Sequence, residues 1–355
     1  MRTSLGIDCS KQELIAYLGQ LTTDHTFQKT SVRVFRNTLK GVDEMLEWAK
    51  KRSEGEDPIQ YVIEATGVYY EDVAHTLIDR NEFISVILPN KVRAFARSLN
   101  LKIEDDKTDA MLLSKMGAER KLDLWDKPDP TYRQLRQLTR ERTHDLKEQT
   151  ILKNRLEAAQ HEAYPNEGTI RRLKSMIDTT NEQIEEIERE IKEILNKHRS
   201  LKEKVERITT IKGVGLMTVV TVVAETNGFN LVRNKKQLVS YAGYDVWHKL
   251  SGTSVNKKPR VSKKGNIHIR RVLHFPAINM VKWDEGMHGL YQRLYEKNNI
   301  KMKGYVAVQR KVLVLIYTLW KKDEEYDPNF EHQSIMNAGR KKSGRSKKTA
   351  PNELA

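Results

Sequence analysis

One helical repeat constrains the middle of the chain more than any other feature of the sequence. Apolar residues recur there at alternating spacings of three and four, which is the pattern of a heptad seam along one face of a helix. The seam consists of Ile170, Leu173, Ile177, Thr180, Ile184, Ile187, Ile191, Ile194, His198, Leu201, Val205 and Ile208. The sequence therefore predicts an α-helical coiled-coil linker over 128–206, with Thr180 and His198 as interior polar positions that set the register.

A second predicted helix precedes this seam and gives the linker two possible arrangements. It runs from about Tyr132 to Ala159, and the chain is interrupted near Pro165 to Gly168, where proline and glycine disfavour a helix. This helix either folds back along the seam as a helical hairpin, or the seam pairs with another subunit.

The first 127 residues alternate between strand and helix signals. The apolar pattern predicts strands over 4–7, 13–18, 31–35, 61–63 and 84–88, and helices over 39–50, 70–79, 91–98 and 108–118. Three leading strands followed by alternating helices and strands is the order of an RNase H-like sheet, in which the first and fourth strands are neighbours. We therefore expect an α/β domain over 1–127.

Four carboxylates lie at positions that such a sheet would bring close together. Asp8 and Glu64 end the first and fourth predicted strands, and Asp106 and Asp109 open a helix at a spacing that places both on one face. Hard oxygen ligands suit Mg²⁺, and two ions about 4 Å apart can clamp the attacking and leaving oxygens of a phosphodiester. The sequence predicts a two-magnesium site. Helix capping by Asp106 or Asp109 is the structural alternative, and the adjacent Asp105 leaves the register of the third ligand open.

The net charge of +15 is concentrated in one segment. From Arg207 to Lys322 the chain holds 22 Lys and Arg against 5 Asp and Glu, and no acidic residue occurs between Asp245 and Asp284. Such a segment is expected to face nucleic acid, because neutralised phosphates release counterions; a solubilising surface is the alternative. Residues 328–355 lack periodicity and are expected to form a disordered basic tail.

Two motifs in the basic segment have the form of phosphate-binding elements. Gly213 and Gly215 separate two predicted helices, as in a helix-hairpin-helix whose backbone N–H groups approach a phosphate. Ser251 stands beside a glycine in a predicted loop, where an open hydroxyl can attack phosphorus; Ser254 and Ser262 compete for this role. The residues expected to bind nucleic acid are Lys212, Gly213, Gly215, Lys249, Lys257, Lys258, Arg260, Lys263, Lys264, Arg270, Arg271, Arg310 and Lys311.

Taken in order, these motifs resemble the IS110 family of bacterial insertion-sequence transposases, which also includes site-specific pilin-gene invertases. The resemblance extends from about Leu5 to Tyr326. Its motifs are Gly6-Ile-Asp-Cys-Ser-Lys, Ile63-Glu-Ala-Thr-Gly-Val-Tyr, Asp106-Lys-Thr-Asp-Ala, Ile211-Lys-Gly-Val-Gly, Tyr241-Ala-Gly, Ser251-Gly, Ser262-Lys-Lys-Gly-Asn and Ala307-Val-Gln-Arg-Lys.

This resemblance implies a RuvC-like DEDD metal-binding domain over 1–127, the coiled-coil linker over 128–206, and a mainly α transposase domain with the helix-hairpin-helix over 207–327, followed by the tail over 328–355. It implies that Asp8, Glu64, Asp106 and Asp109 bind the metal and that Ser251 is the nucleophile that joins them in a composite site. It also implies donor and target double-stranded DNA, and a structured guide RNA encoded by the element, as partners.

The resulting hypothesis is a Mg²⁺-dependent recombinase in which Ser251 forms a covalent phosphoserine link that a second strand displaces. Because two strands must be exchanged, a dimer or tetramer assembled through the seam is expected. One alternative is a RuvC-like nuclease, such as a junction resolvase, in which water attacks and Ser251 only binds phosphate. The other is a noncatalytic nucleic-acid-binding protein.

Cysteine content and hydropathy give the expected compartment. The chain has one cysteine, Cys9, so it can form no internal disulfide, and it has neither a long apolar run nor a signal-type N-terminus. A cytoplasmic, nucleoid-associated bacterial protein without a membrane segment is therefore expected.

Overall fold

The chain divides into two compact units, residues 1–127 and residues 128–355, called unit 1 and unit 2 below. A computed structural model describes residues 2–53, 57–100, 105–251 and 255–327, with the backbone alone for 248–251 and 255–259. Unit 1 is a mixed α/β unit and unit 2 is mainly helical, which confirms the predicted fold class at this level. The boundary predicted near residue 207 stays a prediction, and the tail over 328–355 lies outside the described residues.

Unit 1 is built on a five-stranded sheet in the order β3-β2-β1-β4-β5. β1 pairs antiparallel with β2 and parallel with β4, so the first and fourth strands are neighbours as predicted. β2 pairs antiparallel with β3, and β4 pairs parallel with β5. The strands are β1 (Arg2–Cys9), β2 (Glu13–Leu21), β3 (Phe27–Arg36), β4 (Gln60–Glu64) and β5 (Phe83–Ile87).

Helices cover both faces of this sheet: α1 (Leu39–Arg52), α2 (Glu71–Asp79), α3 (Pro89–Ser98) and α4 (Asp106–Glu119). Leu5 and Ile7 of β1, with Tyr61 and Ile63 of β4, pack in one core with residues of α1 and α2. Val62 packs in a second core with residues of α3 and α4. Since successive residues of a strand face opposite sides, the even-numbered residues of β1 and β4 face α4.

Unit 2 holds the remaining described elements. They are α5 (Pro130–Gln160), α6 (Glu167–Lys197), α7 (Arg199–Thr209), α8 (Leu216–Glu225), α9 (Lys235–Tyr241), β6 (Val246–Ser251), β7 (Val255–Val261), α10 (Ile267–Val272), α11 (His274–Trp283), α12 (Glu285–Asn298) and α13 (Lys301–Lys322). One core joins one end of the α5 and α6 pair to α7, α8, α9, α11 and α13. In the described part of the chain, no helix has both the length and the apolar character needed to cross a bilayer.

Helices α5 and α6 pack against one another as an antiparallel pair. Arg142 binds Glu188, and Gln149 donates to Asn181, so residues later in α5 meet residues earlier in α6. Leu152 of α5 packs near the start of α6 in a small separate core. The chain thus adopts the hairpin arrangement, while supercoiling of this pair and pairing of the seam between subunits stay predictions.

The heptad seam does not lie on one continuous helix. Helix α6 ends at Lys197, and His198 is exposed, so the prediction that His198 is an interior position is wrong. Its ring nitrogen lies 3.4 Å from the hydroxyl of Thr131. Thr180 is buried, and its hydroxyl donates to the carbonyl of Met176 over 2.8 Å. The seam residues beyond His198 belong to α7 and pack in the main core of unit 2.

Candidate acidic site and basic surface

Asp8 and Glu64 lie at the ends of adjacent strands and on the same face of the sheet. Ile7 of β1 is paired in parallel with Ile63 of β4, and each carboxylate follows one member of that pair. Both have even numbers, so both face the side covered by α4. The strand order and the alternation of the strands are therefore enough to bring these two carboxylates together.

Helix α4 crosses β1 closely and runs in the opposite direction. A Cβ atom added to Gly6 would lie 2.0 Å from the carbonyl oxygen of Ala110, and the hydroxyl of Ser114 donates to the carbonyl of Ser4 over 2.8 Å. Later residues of α4 therefore lie over earlier residues of β1. Continuing this register by two residues of β1 places Asp8 under the first turn of the helix.

That first turn carries three acidic residues with different roles. Asp105 is the N-cap, and its carboxylate accepts the backbone N–H of Thr108 over 2.7 Å. The capping role thus falls to Asp105, which leaves Asp106, exposed, and Asp109, half-buried, in the first turn of the helix. Asp106 and Asp109 share the face that the register directs toward Asp8.

Electrostatics supports the proximity of all four carboxylates. Burial, followed by the negative charges of Asp106, Asp109 and Glu64, raises the pKa of Asp8 to about 6. Like charges close together resist simultaneous ionisation, which is the condition that a bound cation relieves. The donor set therefore has the charge and the hard oxygen atoms that a divalent cation prefers.

Residues next to Asp8 and Glu64 in the chain affect the surroundings of these two carboxylates. Glu64 accepts a hydrogen bond from the hydroxyl of Thr66 over 2.9 Å, and Gly67 has a φ of 65°, a value that favours glycine.

Burial and the charge of Asp8 raise the pKa of the Cys9 thiol to about 12. A thiol with so high a pKa is protonated at neutral pH, which makes Cys9 a poor nucleophile.

Electrostatic coupling is not the same as preformed coordination. Within the ranges that the structure describes, no three His, Cys, Asp or Glu side chains meet the geometry of a metal-ligand group. The four carboxylates are thus neighbours by register and by charge, and their assignment as metal ligands stays a prediction.

The Gly-Val-Gly turn of unit 2 connects α7 to α8. Gly213 has a φ of 93°, and a Cβ atom added there would lie 3.0 Å from the Cβ of Asn279. Gly215 is the N-cap of α8 without any side-chain cap, and apart from its two neighbours in the chain no described residue comes within 4 Å of the position a Cβ would take. The helix–turn–helix order matches the predicted one. The specific helix-hairpin-helix form stays a prediction, as does phosphate binding.

The predicted nucleophile lies on a β-hairpin rather than in a loop. Ser251 is the last residue of β6, and its backbone pairs with Val255 of β7. The side chains of Ser251, Lys249, Lys257 and Lys258, and the whole of Ser254, lie outside the described residues. Ser262 is described: its hydroxyl donates to the carboxylate of Asp245 and accepts the backbone N–H of Lys264 over 3.3 Å.

Most of the described basic residues predicted to bind nucleic acid are exposed. They are Lys212, Arg260, Lys263, Lys264, Arg271, Arg310 and Lys311. Arg270 differs, because it is half-buried and donates to the carbonyls of Ala242 and Asn266 over 2.8 and 3.2 Å. Its guanidinium therefore holds the chain around Gly243, and contact with nucleic acid would have to use its remaining N–H groups.

Sequence reasoning missed a buried polar network in unit 2. Glu225 is 1% exposed and accepts two hydrogen bonds from the guanidinium of Arg140, over 2.6 and 2.8 Å, and one from Asn266 over 2.6 Å. Burial alone would raise the pKa of Glu225, but these hydrogen bonds outweigh it and hold the pKa below its usual value. The signal was present in the sequence: an acidic residue ends the otherwise uncharged helix α8, and such a charge needs a partner when it is buried.

Asn266 connects this network to the basic loop that the Ser262-Lys-Lys-Gly-Asn motif forms between β7 and α10. Its side-chain amide donates to Glu225, while its carbonyl oxygen caps α10 by accepting the backbone N–H groups of His268 and Ile269. The hydroxyl of Tyr241 donates to the backbone carbonyl of Glu225 over 2.8 Å. The network thus fixes the end of the Ser262-Lys-Lys-Gly-Asn motif against α5 and α8.

Comparison with known protein families gives two matches along the chain. Residues 5–165 match the family model of the DEDD transposase of the IS110 type. Residues 205–292 match the model described as the transposase IS116/IS110/IS902 family. The first match covers both strands and the helix that carry the four carboxylates, and the second covers the Gly-Val-Gly turn, the hairpin and the basic loop.

Two similar proteins are known by function. Both are pilin gene-inverting proteins, one from Moraxella lacunata and one from Moraxella bovis. Each is 26% identical to this chain over 330 residues, which cover 92% of this chain and 98% of the relative. The similarity therefore extends through both units.

Proposed function

Because this chain belongs to the IS110 family of transposases and is an enzyme that acts on DNA, we propose that it cuts and rejoins DNA strands with the acidic residues of unit 1 and Ser251 of unit 2. The observation that carries the proposal is the electrostatic coupling of Asp8 to Glu64, Asp106 and Asp109. Four like charges gathered at one edge of a sheet oppose folding, and two-metal cleavage of a phosphodiester uses a set of carboxylates of this kind.

DEDD transposase domains depend in general on divalent metal ions. Asp8, Glu64, Asp106 and Asp109 would hold the cation here, and we propose two Mg²⁺ ions because the ligands are all carboxylates. Bound cations of this kind supply Lewis-acid stabilisation of the charge that develops on phosphate oxygens. The residues themselves supply the hard ligands, and the packing of α4 on Gly6 holds two of them opposite the other two.

The proposed chemistry at Ser251 conserves the energy of the phosphodiester. A bond forms between the Ser251 oxygen and phosphorus while the bond from phosphorus to the oxygen of one strand end breaks; the Ser251 proton passes to solvent, and the departing strand end takes a proton from solvent to become a free hydroxyl. A hydroxyl at the end of a second strand then attacks the same phosphorus and releases Ser251, which regains a proton. Each step exchanges one P–O bond for another, so no high-energy cofactor is needed.

The partners follow from this chemistry. We propose donor and target double-stranded DNA as substrates, and a structured guide RNA, which the family resemblance implies, as the component that selects sites by base pairing. Two strands must be exchanged, so we propose a dimer or a tetramer. The name of the Moraxella relatives describes inversion of a gene, and strand exchange is the chemistry that inversion shares with insertion.

Trapping of the covalent intermediate tests the nucleophile. The full-length protein would be incubated with Mg²⁺ and DNA carrying the element ends, denatured, and examined for protein-linked DNA. We expect the adduct with the wild-type chain and with Ser262→Ala, and no adduct with Ser251→Ala. An adduct that persists in Ser251→Ala and disappears in Ser254→Ala would move the nucleophile to Ser254.

The same assay separates the recombinase from its rival. A nuclease that activates water would give cleaved DNA with no protein attached in every variant. Cleavage that continues in EDTA would remove the acidic site from the chemistry.

A further inference from the structure

One face of α11 exposes two large aromatic rings in the basic segment. Phe275 is 72% exposed and Trp283 is 64% exposed, while Ala277 and Met280 between them are buried in the core of unit 2. The helix therefore buries one side and turns both rings outward. Since an aromatic ring can bury 150–250 Å², two such rings left in water on one helix require an explanation.

A cation lies against one of these rings, and further polar side chains are exposed on the same helix. The ammonium of Lys212 lies 4.6 Å from the centroid of the Trp283 ring, and Asn279 and Lys282 are exposed on the same helix. The Gly-Val-Gly turn joins this surface directly, because Gly213 packs against Asn279. The term α11 surface is used below for Lys212, Arg271, Phe275, Asn279, Lys282 and Trp283.

The charge of the α11 surface identifies its partner. No acidic residue occurs from Val246 to Trp283, the ammonium of Lys212 lies against the Trp283 ring, and the exposed Lys282 precedes Trp283 in the helix. A protein-binding patch usually has a continuous apolar centre with charges at its rim, whereas separate rings interleaved with cations are the pattern of proteins that bind single-stranded nucleic acid. In a duplex the bases are already stacked, so exposed rings find partners only where bases are unpaired.

We infer that the α11 surface binds unpaired DNA, with Phe275 and Trp283 stacking on bases and the cations contacting the backbone. The inference rests on the proposed function and deepens it: strand exchange separates duplex DNA, and this surface holds a separated strand. The two rings are eight residues apart, roughly 12 Å along the helix axis. That distance is about the rise of three to four nucleotides at 3.4 Å each, so one short stretch of strand reaches both rings.

Equilibrium binding in EDTA tests the inference without any strand cleavage. Fluorescence anisotropy would measure the affinity of the full-length protein for a labelled oligothymidine, for a duplex of the same length and for an RNA oligouridine. We expect Phe275→Ala and Trp283→Ala each to weaken binding of oligothymidine by about tenfold, since stacking contributes about 1–3 kcal/mol per base. Binding of the duplex should change by less than about threefold.

Three further variants make the result specific. Tyr164 is 93% exposed outside this surface, so Tyr164→Ala should leave both affinities unchanged. Trp283→Phe keeps a ring and should restore most of the lost affinity, and a folding defect in Trp283→Ala would lower the duplex affinity as well. Lys282→Ala should reduce the salt dependence of binding, whereas the two aromatic variants should leave the slope unchanged.

Several outcomes would overturn the inference. Equal losses on oligothymidine and duplex would show that the rings do not stack on bases. A larger loss on oligouridine than on oligothymidine would reassign the surface to RNA, and a change in oligomeric mass with unchanged DNA affinity would make it an interface between copies of the chain. Because binding in EDTA needs neither cleavage nor Ser251, failure here leaves the adduct test intact, and failure of the adduct test leaves this measurement intact.

Discussion

Asp8 in unit 1 and Glu225 in unit 2 are both carboxylates withdrawn from water, and their pKa values move in opposite directions. Burial and three neighbouring carboxylates raise the pKa of Asp8 to about 6. Burial acts on Glu225 in the same sense, but the guanidinium of Arg140 and the amide of Asn266 outweigh it and lower the pKa. The surroundings of Asp8 disfavour its ionised form, whereas the surroundings of Glu225 stabilise its ionised form.

The difference distinguishes a residue with a structural role from a residue that we propose takes part in the chemistry. A buried carboxylate bound on several sides fixes helices α5, α8 and α10 against one another, which is a structural role. A carboxylate whose neighbours repel it destabilises the native state, and proteins retain such sites where function requires them. The comparison predicts that neutralising Asp8 and breaking the Glu225 network have opposite effects on stability.

The largest effect should be on activity in unit 1. Asp8→Asn and Asp106→Asn each remove a charged ligand, and we expect Mg²⁺-dependent strand cleavage to fall by about 10³-fold or more, because Lewis-acid stabilisation contributes several kcal/mol. Asp105→Asn is the matched control, since asparagine caps a helix as well as aspartate does. Cleavage measured with radiolabelled DNA decides between them, and an equal loss in Asp105→Asn would make Asp105 the third ligand.

The next effect concerns the stability of unit 2. Arg140→Ala leaves the buried charge of Glu225 with Asn266 as its remaining side-chain donor, and we expect the free energy of unfolding to fall by about 2–3 kcal/mol, below the usual cost of breaking a fully buried pair because Arg140 is partly exposed. The lowered pKa of Glu225 means that this contribution is present above the unfolded pKa and is lost as the pH falls through the folded one.

Arg142→Ala is the control for that measurement. Arg142 lies on the same helix and binds Glu188, but both side chains are partly exposed, so the loss should be below about 1 kcal/mol. Urea denaturation of the full-length proteins at pH 7 and pH 4 provides the values. Equal losses for the two arginine variants would show that the Glu225 network is no more than a surface pair.

These two carboxylates also differ in how far the sequence could predict them. The position of Asp8 follows from general rules of sheet structure. The alternation of side chains along a strand decides which face of the sheet Asp8 lies on, and the strand order makes Glu64 its neighbour. Gly6 was part of the same motif, although its role as the point where α4 touches β1 required the structure. Glu225 could be recognised as a charge in an apolar helix, but its partner Arg140 is 85 residues away, and nothing local specifies such a pairing.

The heptad periodicity of the linker likewise could not predict where one helix ends and the next begins. The three-four spacing continues unbroken through His198, yet the backbone leaves the helix there with a ψ of 77°. A seam predicts which face is apolar and carries no information about a break between two helices in the same phase. The sequence predicts a loop where the hairpin of β6 and β7 lies for a related reason, since the lysines and serines of the hairpin lack the alternation of a half-buried strand.

A smaller effect should appear in the pH dependence of stability in unit 1. The folded pKa of Asp8 lies above its unfolded value of 3.8, so the folded state binds the proton more tightly, and ionisation destabilises it as the pH rises from about 4 to about 6. We expect Asp8→Asn to be more stable than the wild-type chain by about 1 kcal/mol above pH 6, a value reduced for the partial exposure of Asp8, and equally stable near pH 4.

Added Mg²⁺ sharpens this measurement. The cation should raise the melting temperature of the wild-type chain at pH 7.5 and have little effect on Asp8→Asn, because binding to the folded state alone shifts the equilibrium. A variant that is less stable than the wild-type chain at pH 7.5 without the cation would show that Asp8 has a structural role after all.

The smallest effect should come from a substitution at Gly215, which should change the affinity for DNA without changing the stability of the fold. A Cβ at Gly215 meets no atom within 4 Å, and its φ of −83° suits any residue, so Gly215→Ala should change the free energy of unfolding by less than about 0.5 kcal/mol. The added methyl group would nevertheless occupy open space at the start of α8, where a phosphate would approach the first amides of the helix, and loss of one phosphate hydrogen bond corresponds to an affinity about three- to tenfold weaker. Duplex binding by anisotropy, compared with unfolding by urea, tests this, and an unchanged affinity would show that the turn connects two helices without contacting DNA.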